Sequence, residues 1–171
     1  MRIRRLAPLL LLFALISCDS KPGCVNALFS SRWKGQRALD FSLPIEGSGK
    51  FFVLSEENHD HPILLVFWAT WCPACVEEIP SLNQTLQDYK DQGLKIAGIN
   101  IEEEPELMES FLRDHPMNYP VLLDTQGNVA SQFEVTGLPT MSLLAKGGEI
   151  LYYCFSIPRG LDSLLTKETN G

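Results

Sequence analysis

The chain has 171 residues, 45% of them apolar, with a formal net charge of −7 and a pI near 4.9. That length suits one compact domain with a short extra segment, and the apolar share is enough to bury a sizeable core. No run of Lys and Arg occurs after the first five residues. This argues against nucleic-acid or anionic-lipid binding, because both need clustered positive charge.

The opening residues, MRIRRLAPLLLLFALISC, place Arg2, Arg4 and Arg5 before an apolar run from Leu6 to Ile16, then Ser17 and Cys18. A positive start, an apolar stretch and a small residue before a cut are the parts of an export signal. The run is well short of the ~20 residues that span a bilayer as a helix. Residues 1–17 are therefore read as a signal peptide and kept out of the fold. Leu15-Ile16-Ser17-Cys18 also resembles the lipobox of bacterial lipoprotein signals. That resemblance implies that Cys18 becomes the first mature residue and carries lipid, which would tether the domain to a membrane. The plainer alternative is ordinary cleavage with Cys18 a spare thiol. Asp19 resembles the retention signal of enteric-type bacteria. It implies the periplasmic face of the inner membrane, or the outer surface of the membrane in a Gram-positive host. Outside the cytosol disulfides persist, so a dithiol acting there as a reductant needs an upstream electron donor.

Residues 18–37 read as a tether that docks at its end through Phe29 or Trp33, and residues 38–171 as the folded domain. LDFSLP and GKFFVLS read as two strands joined through Gly47-Ser48-Gly49. EENHDHP reads as a polar loop. ILLVFWA (63–69) is a continuous apolar run of strand length, which suits a central strand buried on both faces. A helix follows from Pro73, with Ile79, Leu82, Leu86 and Tyr89 on one face, Pro80 inside it and Gly93 at its end. LKIAGINI is a second buried strand. Pro105 opens another helix with Leu107, Met108, Phe111 and Leu112 inward. YPVLLD is a short strand, NVASQFEV one or two helical turns, and TMSLLA and EILYYCF a hairpin around Lys146-Gly147-Gly148. Residues 158–168 read as a last helix. The order predicts an α/β fold with a mixed central sheet flanked by helices and extra N-terminal strands.

Cys72 falls where the central strand meets the helix, and Cys75 about one turn in. The unpaired N–H groups and the positive dipole end of a helix N-terminus stabilise a thiolate at Cys72. Cys75 can reach Cys72 but faces inward, so Cys72 is read as the attacking sulfur and Cys75 as the resolving one. A structural zinc site needs about four ligands; there is one C-x-x-C, and no paired pattern among Cys24, Cys154, His59, His61 and His115. A purely structural bridge closing so few residues would constrain little of the unfolded chain.

FWATWCPAC with Pro80 behind it resembles a thioredoxin-fold active site, and VTGLPT resembles that family's cis-proline loop. More narrowly, the added strands LDFSLP and FFVLS, the WCPACVEEIP run, INIEEEPELMESFL, YPVLLDTQGNVASQFEV and GLPT resemble the TlpA/ResA-type branch of extracytoplasmic thioredoxin-like reductases. The resemblance implies a thioredoxin-like fold and a thiol–disulfide oxidoreductase that needs no cofactor or metal. It implies that Pro139 is cis, that Leu138 and Pro139 offer backbone groups to an extended substrate, and that Trp71 covers the cysteines and touches partners. Pro73 and Ala74, between the cysteines, set the balance of thiol and disulfide. The family carries a glutamate at the position of Glu78, which there tunes the pair by moving the proton of Cys75. The plainer reading of Glu78 is a surface carboxylate favoured by the helix dipole. Cytosolic thioredoxins place a buried aspartate where this chain has Val66. The implied partners are exported proteins with disulfides or thiols. Dedicated cytochrome c maturation reductases tend to have Glu after the cis-proline; Thr140 here leans toward another substrate, with haem-apoprotein thiols left open.

Two rivals remain. A peroxiredoxin-like peroxidase uses T-x-x-C, whereas Thr70 is separated from Cys72 by one residue. A copper(I) carrier could use the dithiol, but Sco-like proteins use C-x-x-x-C with a distant histidine. Cys24 and Cys154 could bond to each other or stay apart. His59-Asp60-His61 reads as a solvated loop. Fold alone leaves the direction of electron flow open, since potentials span about −270 to −120 mV; the resemblance favours the reducing end.

Overall fold

The computed structural model describes residues 31–166. They form β1 (Ser42–Pro44), β2 (Phe51–Val53), α1 (Leu54–Glu57), β3 (Ile63–Trp68), α2 (Pro73–Tyr89), β4 (Lys95–Ile101), α3 (Glu106–Asp114), β5 (Val121–Asp124), α4 (Asn128–Gln132), β6 (Thr140–Leu144), β7 (Ile150–Cys154) and α5 (Leu161–Thr166). Every side chain of β3 is buried. Alternation along the strand sends its residues to opposite faces. Ile63, Leu65 and Phe67 pack with Leu122, Phe133, Ile150 and Tyr153. Leu64 and Val66 pack with Leu82, Ile96, Met141 and Leu161. Each such side chain, fully buried, contributes about 1.5–3 kcal/mol, and a strand apolar on both faces requires layers on both sides.

The main sheet has the order β5-β4-β3-β6-β7. β3, β4 and β5 run parallel, and β6 and β7 are antiparallel additions. The mixed sheet predicted from the apolar runs is therefore present. The register decides where the chemistry sits. Trp68 pairs with Asn100, Phe67 with Thr140, and Ile101 with Asp124. The loop after β3, the loop before β6 and the loop after β4 thus emerge at one end of the sheet, the usual functional end of an open α/β sheet.

β1 and β2 pair through the Gly47-Ser48-Gly49 turn, as the sequence predicts, and form a separate two-stranded sheet. They meet the main sheet through an Ile45–Leu122 bridge and the Glu46 N–H to the Val121 carbonyl at 2.9 Å. The FFVLS strand stops at Val53, and part of the expected polar loop is helical, as α1. The cause is non-local. Asp40 accepts the Ser55 N–H at 2.8 Å and the Ser55 hydroxyl at 2.7 Å, and Leu54 donates to the Phe41 carbonyl at 3.0 Å. The Ser55 hydroxyl holds the Asp40 carboxyl below its usual range. Leu107 is exposed, not inward. On α3 it lies roughly 90° from the stripe of Met108, Phe111 and Leu112, given ~3.6 residues per turn.

The end of the predicted tether is docked. The Trp33 ring stacks on Tyr153 at 5.3 Å and Phe133 at 6.3 Å. The Gly35 N–H donates to the Ile150 carbonyl, and the Ile150 N–H to Gln36. α2 runs past Pro80, which lies inside it, and a 3-10 turn (Lys90–Gln92) carries the chain to Gly93 at φ 83°, where only glycine turns without strain.

Candidate active site

β3 ends at Trp68, and a turn of Ala69-Thr70-Trp71 delivers Cys72 to the start of α2. The Cys72 N–H donates to the Ala69 carbonyl at 3.2 Å, closing that turn. Cys72 is the N-cap of α2, in extended backbone, and Pro73 takes the first helical position, where a missing N–H costs nothing. The Cys75 N–H donates to Cys72 Sγ at 3.2 Å. The two residues are joined by a disulfide with their Cα atoms 5.3 Å apart. An N–H aimed at the sulfur, at the positive end of a helix dipole, favours negative charge on Cys72 once the disulfide is open.

Fractional exposure does not separate the two cysteines, at 5% and 3%. Position on the helix does. Cys72 lies at the tip and Cys75 one turn in; both belong to a buried cluster with Trp68, Met108, Val121 and Leu123. The Leu138–Pro139 peptide is cis. Pro139 is buried and leads into β6, and Leu138 packs against the cluster that holds both cysteines. Trp71 is 69% exposed, whereas Trp68 is core. Pro73 and Ala74 are exposed. Glu78 lies half-buried on α2 and makes no side-chain hydrogen bond or ion pair among the described residues.

One residue at this end escaped the sequence reading. Glu103 is buried, and its carboxylate accepts the Thr70 N–H at 2.7 Å, the Asn100 amide at 2.6 Å and the Thr70 hydroxyl. It stands in Glu102-Glu103-Glu104, three successive carboxylates that nothing in the local pattern tells apart. Its partner Asn100, an amide near the end of an otherwise apolar strand, was the available signal.

The other candidates lie elsewhere. His59 pairs with Asp60 at 3.0 Å on the surface, which holds Asp60 below its usual range. His61 Nδ1 lies 3.2 Å from the Gly93 carbonyl. The His115 ring lies tilted against Phe111, with centroids 4.5 Å apart. Among the described residues, no group of three or more His, Cys, Asp or Glu could hold a metal ion. Cys154 is disulfide-bonded. Cys18, Cys24 and Phe29 lie outside the described residues, and with them the lipid site and any Cys24–Cys154 bridge. No helix among the described residues is long and apolar enough to cross a membrane.

Comparison with known proteins agrees with this geometry. The model of the AhpC/TSA family matches residues 34–153. ResA of Bacillus subtilis, a thiol-disulfide oxidoreductase, is 31% identical over 129 residues, which cover 74% of this chain and 71% of that one. ResA of Geobacillus kaustophilus is 33% identical, covering 58% of this chain and 62% of its own. Among solved structures, a thiol:disulfide interchange protein named for DsbE, from Chlorobium tepidum, superposes with a TM-score of 0.68 at 28% identity, covering 80% of this chain and 94% of that chain. A thiol-disulfide oxidoreductase of Bacteroides fragilis gives 0.67 at 28% identity, covering 77% and 98%. With a disulfide at a strand-to-helix turn and these relatives, the chain belongs to the AhpC/TSA family and is a thioredoxin-like thiol-disulfide oxidoreductase.

Proposed function

We propose that this oxidoreductase works as a reductase of disulfides in exported proteins, held at a membrane by lipid on Cys18. The observation that carries the reading is the Cys75 N–H on Cys72 Sγ at the tip of α2. In the reduced protein the Cys72 thiolate attacks a substrate disulfide, forms a mixed disulfide and releases one substrate thiolate. The Cys75 sulfur, giving up its proton, attacks Cys72 Sγ, restores the Cys72–Cys75 bond and releases the second thiolate. Two electrons pass to the substrate, and an upstream membrane donor returns them.

Glu78 takes the Cys75 proton in this scheme; its half-buried carboxyl has no competing partner among the described residues. The exposed Trp71 ring, Pro73 and the Leu138-Pro139 backbone receive the substrate chain: Trp71 and Pro73 flank Cys72 in the chain and are exposed, and Leu138 packs against the cluster that holds the cysteines. The export signal and the lipobox-like Leu15-Ile16-Ser17-Cys18 support the extracytoplasmic location.

The test is the equilibrium of the Cys72–Cys75 bond with glutathione and dithiothreitol, together with insulin reduction. A potential near about −270 mV is expected, and one near about −120 mV would overturn the reductase direction. Mass spectrometry of the membrane fraction tests the anchor: Cys18 is expected at the mature N-terminus with attached acyl chains.

A further inference from the structure

Glu103 has no part in the scheme above, yet it is the buried carboxylate bonded to the turn that presents Cys72. Carboxylates are rarely buried unless every oxygen is matched by donors. Here one oxygen accepts the Thr70 N–H and the Asn100 amide, and the other accepts the Thr70 hydroxyl. Asn100 is itself paired with Trp68 across the sheet. The carboxylate thus ties the end of β4 to the second residue of the Ala69–Cys72 turn.

The chain strains to put it there. Glu102 takes φ 53°, left-handed backbone that is strained for a non-glycine residue. Its N–H is held by the Asp124 carbonyl at 3.1 Å, and its side chain lies over Gly127, where a Cβ would come within 2.6 Å of the Glu102 carboxylate. Both features turn the next residue inward. Strained backbone that persists beside reactive groups points to a functional constraint.

We propose that Glu103 is a positioning residue for the exchange reaction. Its three hydrogen bonds fix the Thr70–Cys72 turn, so that Cys72 Sγ stays in line with the Cys75 N–H and the dipole of α2. This rests on Cys72 being the attacking sulfur.

Glutamine at this position can keep every contact. Its oxygen accepts from the Thr70 N–H and Asn100, and its amide donates to the Thr70 hydroxyl, which reverses its role. Alanine keeps none. The experiment is alkylation of the reduced full-length protein with iodoacetamide across pH, with mass mapping of the labelled cysteine and a melting curve for each variant. In the wild type, Cys72 should be labelled first; first labelling of Cys75 would instead sink the assignment of the attacking sulfur. Glu103→Ala should slow Cys72 labelling at pH 7 about tenfold and move the midpoint of its pH profile up by about one unit. Glu103→Gln should stay within about threefold of wild type. Thr70→Val, which loses only the hydroxyl contact, should show a smaller change of the same sign, and it serves as the deciding variant if Glu103→Ala does not fold. A folded Glu103→Ala or Thr70→Val with the wild-type profile overturns the proposal. So does a Glu103→Gln variant as impaired as Glu103→Ala, because keeping the contacts would then fail to keep the reactivity.

Discussion

Asn58 and Glu103 sit at opposite ends of β3, each a buried polar side chain that clasps loops to the sheet. Asn58 is 2% exposed and donates to the His61 carbonyl at 2.8 Å and the Ala145 carbonyl at 2.9 Å. It joins the start of β3 to the end of β6 with a neutral amide. Glu103 does comparable work at the cysteine end with a carboxylate. A neutral clasp costs little to bury once bonded, whereas a charged one must be matched on every oxygen. The contrast teaches that closing an end of this sheet does not require a charge. The one buried beside the cysteines calls for a reason beyond stability.

The largest expected effect separates chemistry from architecture. Cys72→Ser or Cys75→Ser should lower disulfide exchange on the order of a thousandfold or more. The Cys75→Ser protein should also accumulate a mixed disulfide on non-reducing gels. Neither change should cost much stability, because the closed loop is so short; a large fall in melting temperature would mean that this end, too, is chiefly architectural. Asn58→Ala should do the reverse. Stranding two carbonyls costs about 1–3 kcal/mol, read as an earlier urea midpoint, with Cys72 alkylation within twofold of wild type. A loss of reactivity there would break the contrast between the ends.

Between the two ends lies Tyr153, whose hydroxyl donates to the Phe133 carbonyl at 2.7 Å. Burial pushes its pKa from 10.0 up to about 12. The unfolded chain therefore loses that proton first. Stability is intact below pH 10 and falls as pH rises from there toward about 12. Tyr153→Phe should lose roughly 1 kcal/mol at neutral pH and show a shallower alkaline decline in urea titrations, with the rest shared by Tyr119 and Tyr152, which burial also raises, and Tyr89, raised by its hydrogen bond to Asp162. An unchanged decline would show that Tyr153 does not contribute. The smallest effect belongs to Ser55→Ala. Asp40 is held low by the Ser55 hydroxyl, so its share of stability is present above pH 3.8 and lost as pH falls further. Removing that hydroxyl should cost under about 1 kcal/mol and flatten the acid limb of the same titration; an acid limb as steep as in wild type would sink this assignment.

Much of the architecture was legible because apolar runs are local. ILLVFW, KIAGINI and TMSLL each announce a strand by length and composition, and the helical spacing of Ile79, Leu82 and Leu86 announces α2. What was hidden depended on distant partners. α1 is started by Asp40, fifteen residues before Ser55. The site divides the same way. WCPAC declares its chemistry by spacing, and GLPT its place by resemblance. Glu78 drew attention because it is three residues from Cys75. Of three successive glutamates, only the backbone turn at Glu102 shows that Glu103 is the one brought inward.

The docked segment before β1 has a further consequence for how the protein behaves in a crowd. Arg37 bridges to Glu149, and Gln36 accepts the Ile150 N–H at 2.8 Å, on the outer side of β7. At the other margin, Ile45 and Glu46 lie against β5. The same stretch of chain thus hems both borders of the five-stranded sheet, where unpaired backbone would otherwise recruit strands from neighbouring molecules. A thiol-disulfide oxidoreductase whose relatives act on thiols and disulfides is exposed to extended peptide. Hemmed in this way, it keeps that peptide from zipping onto its flanks.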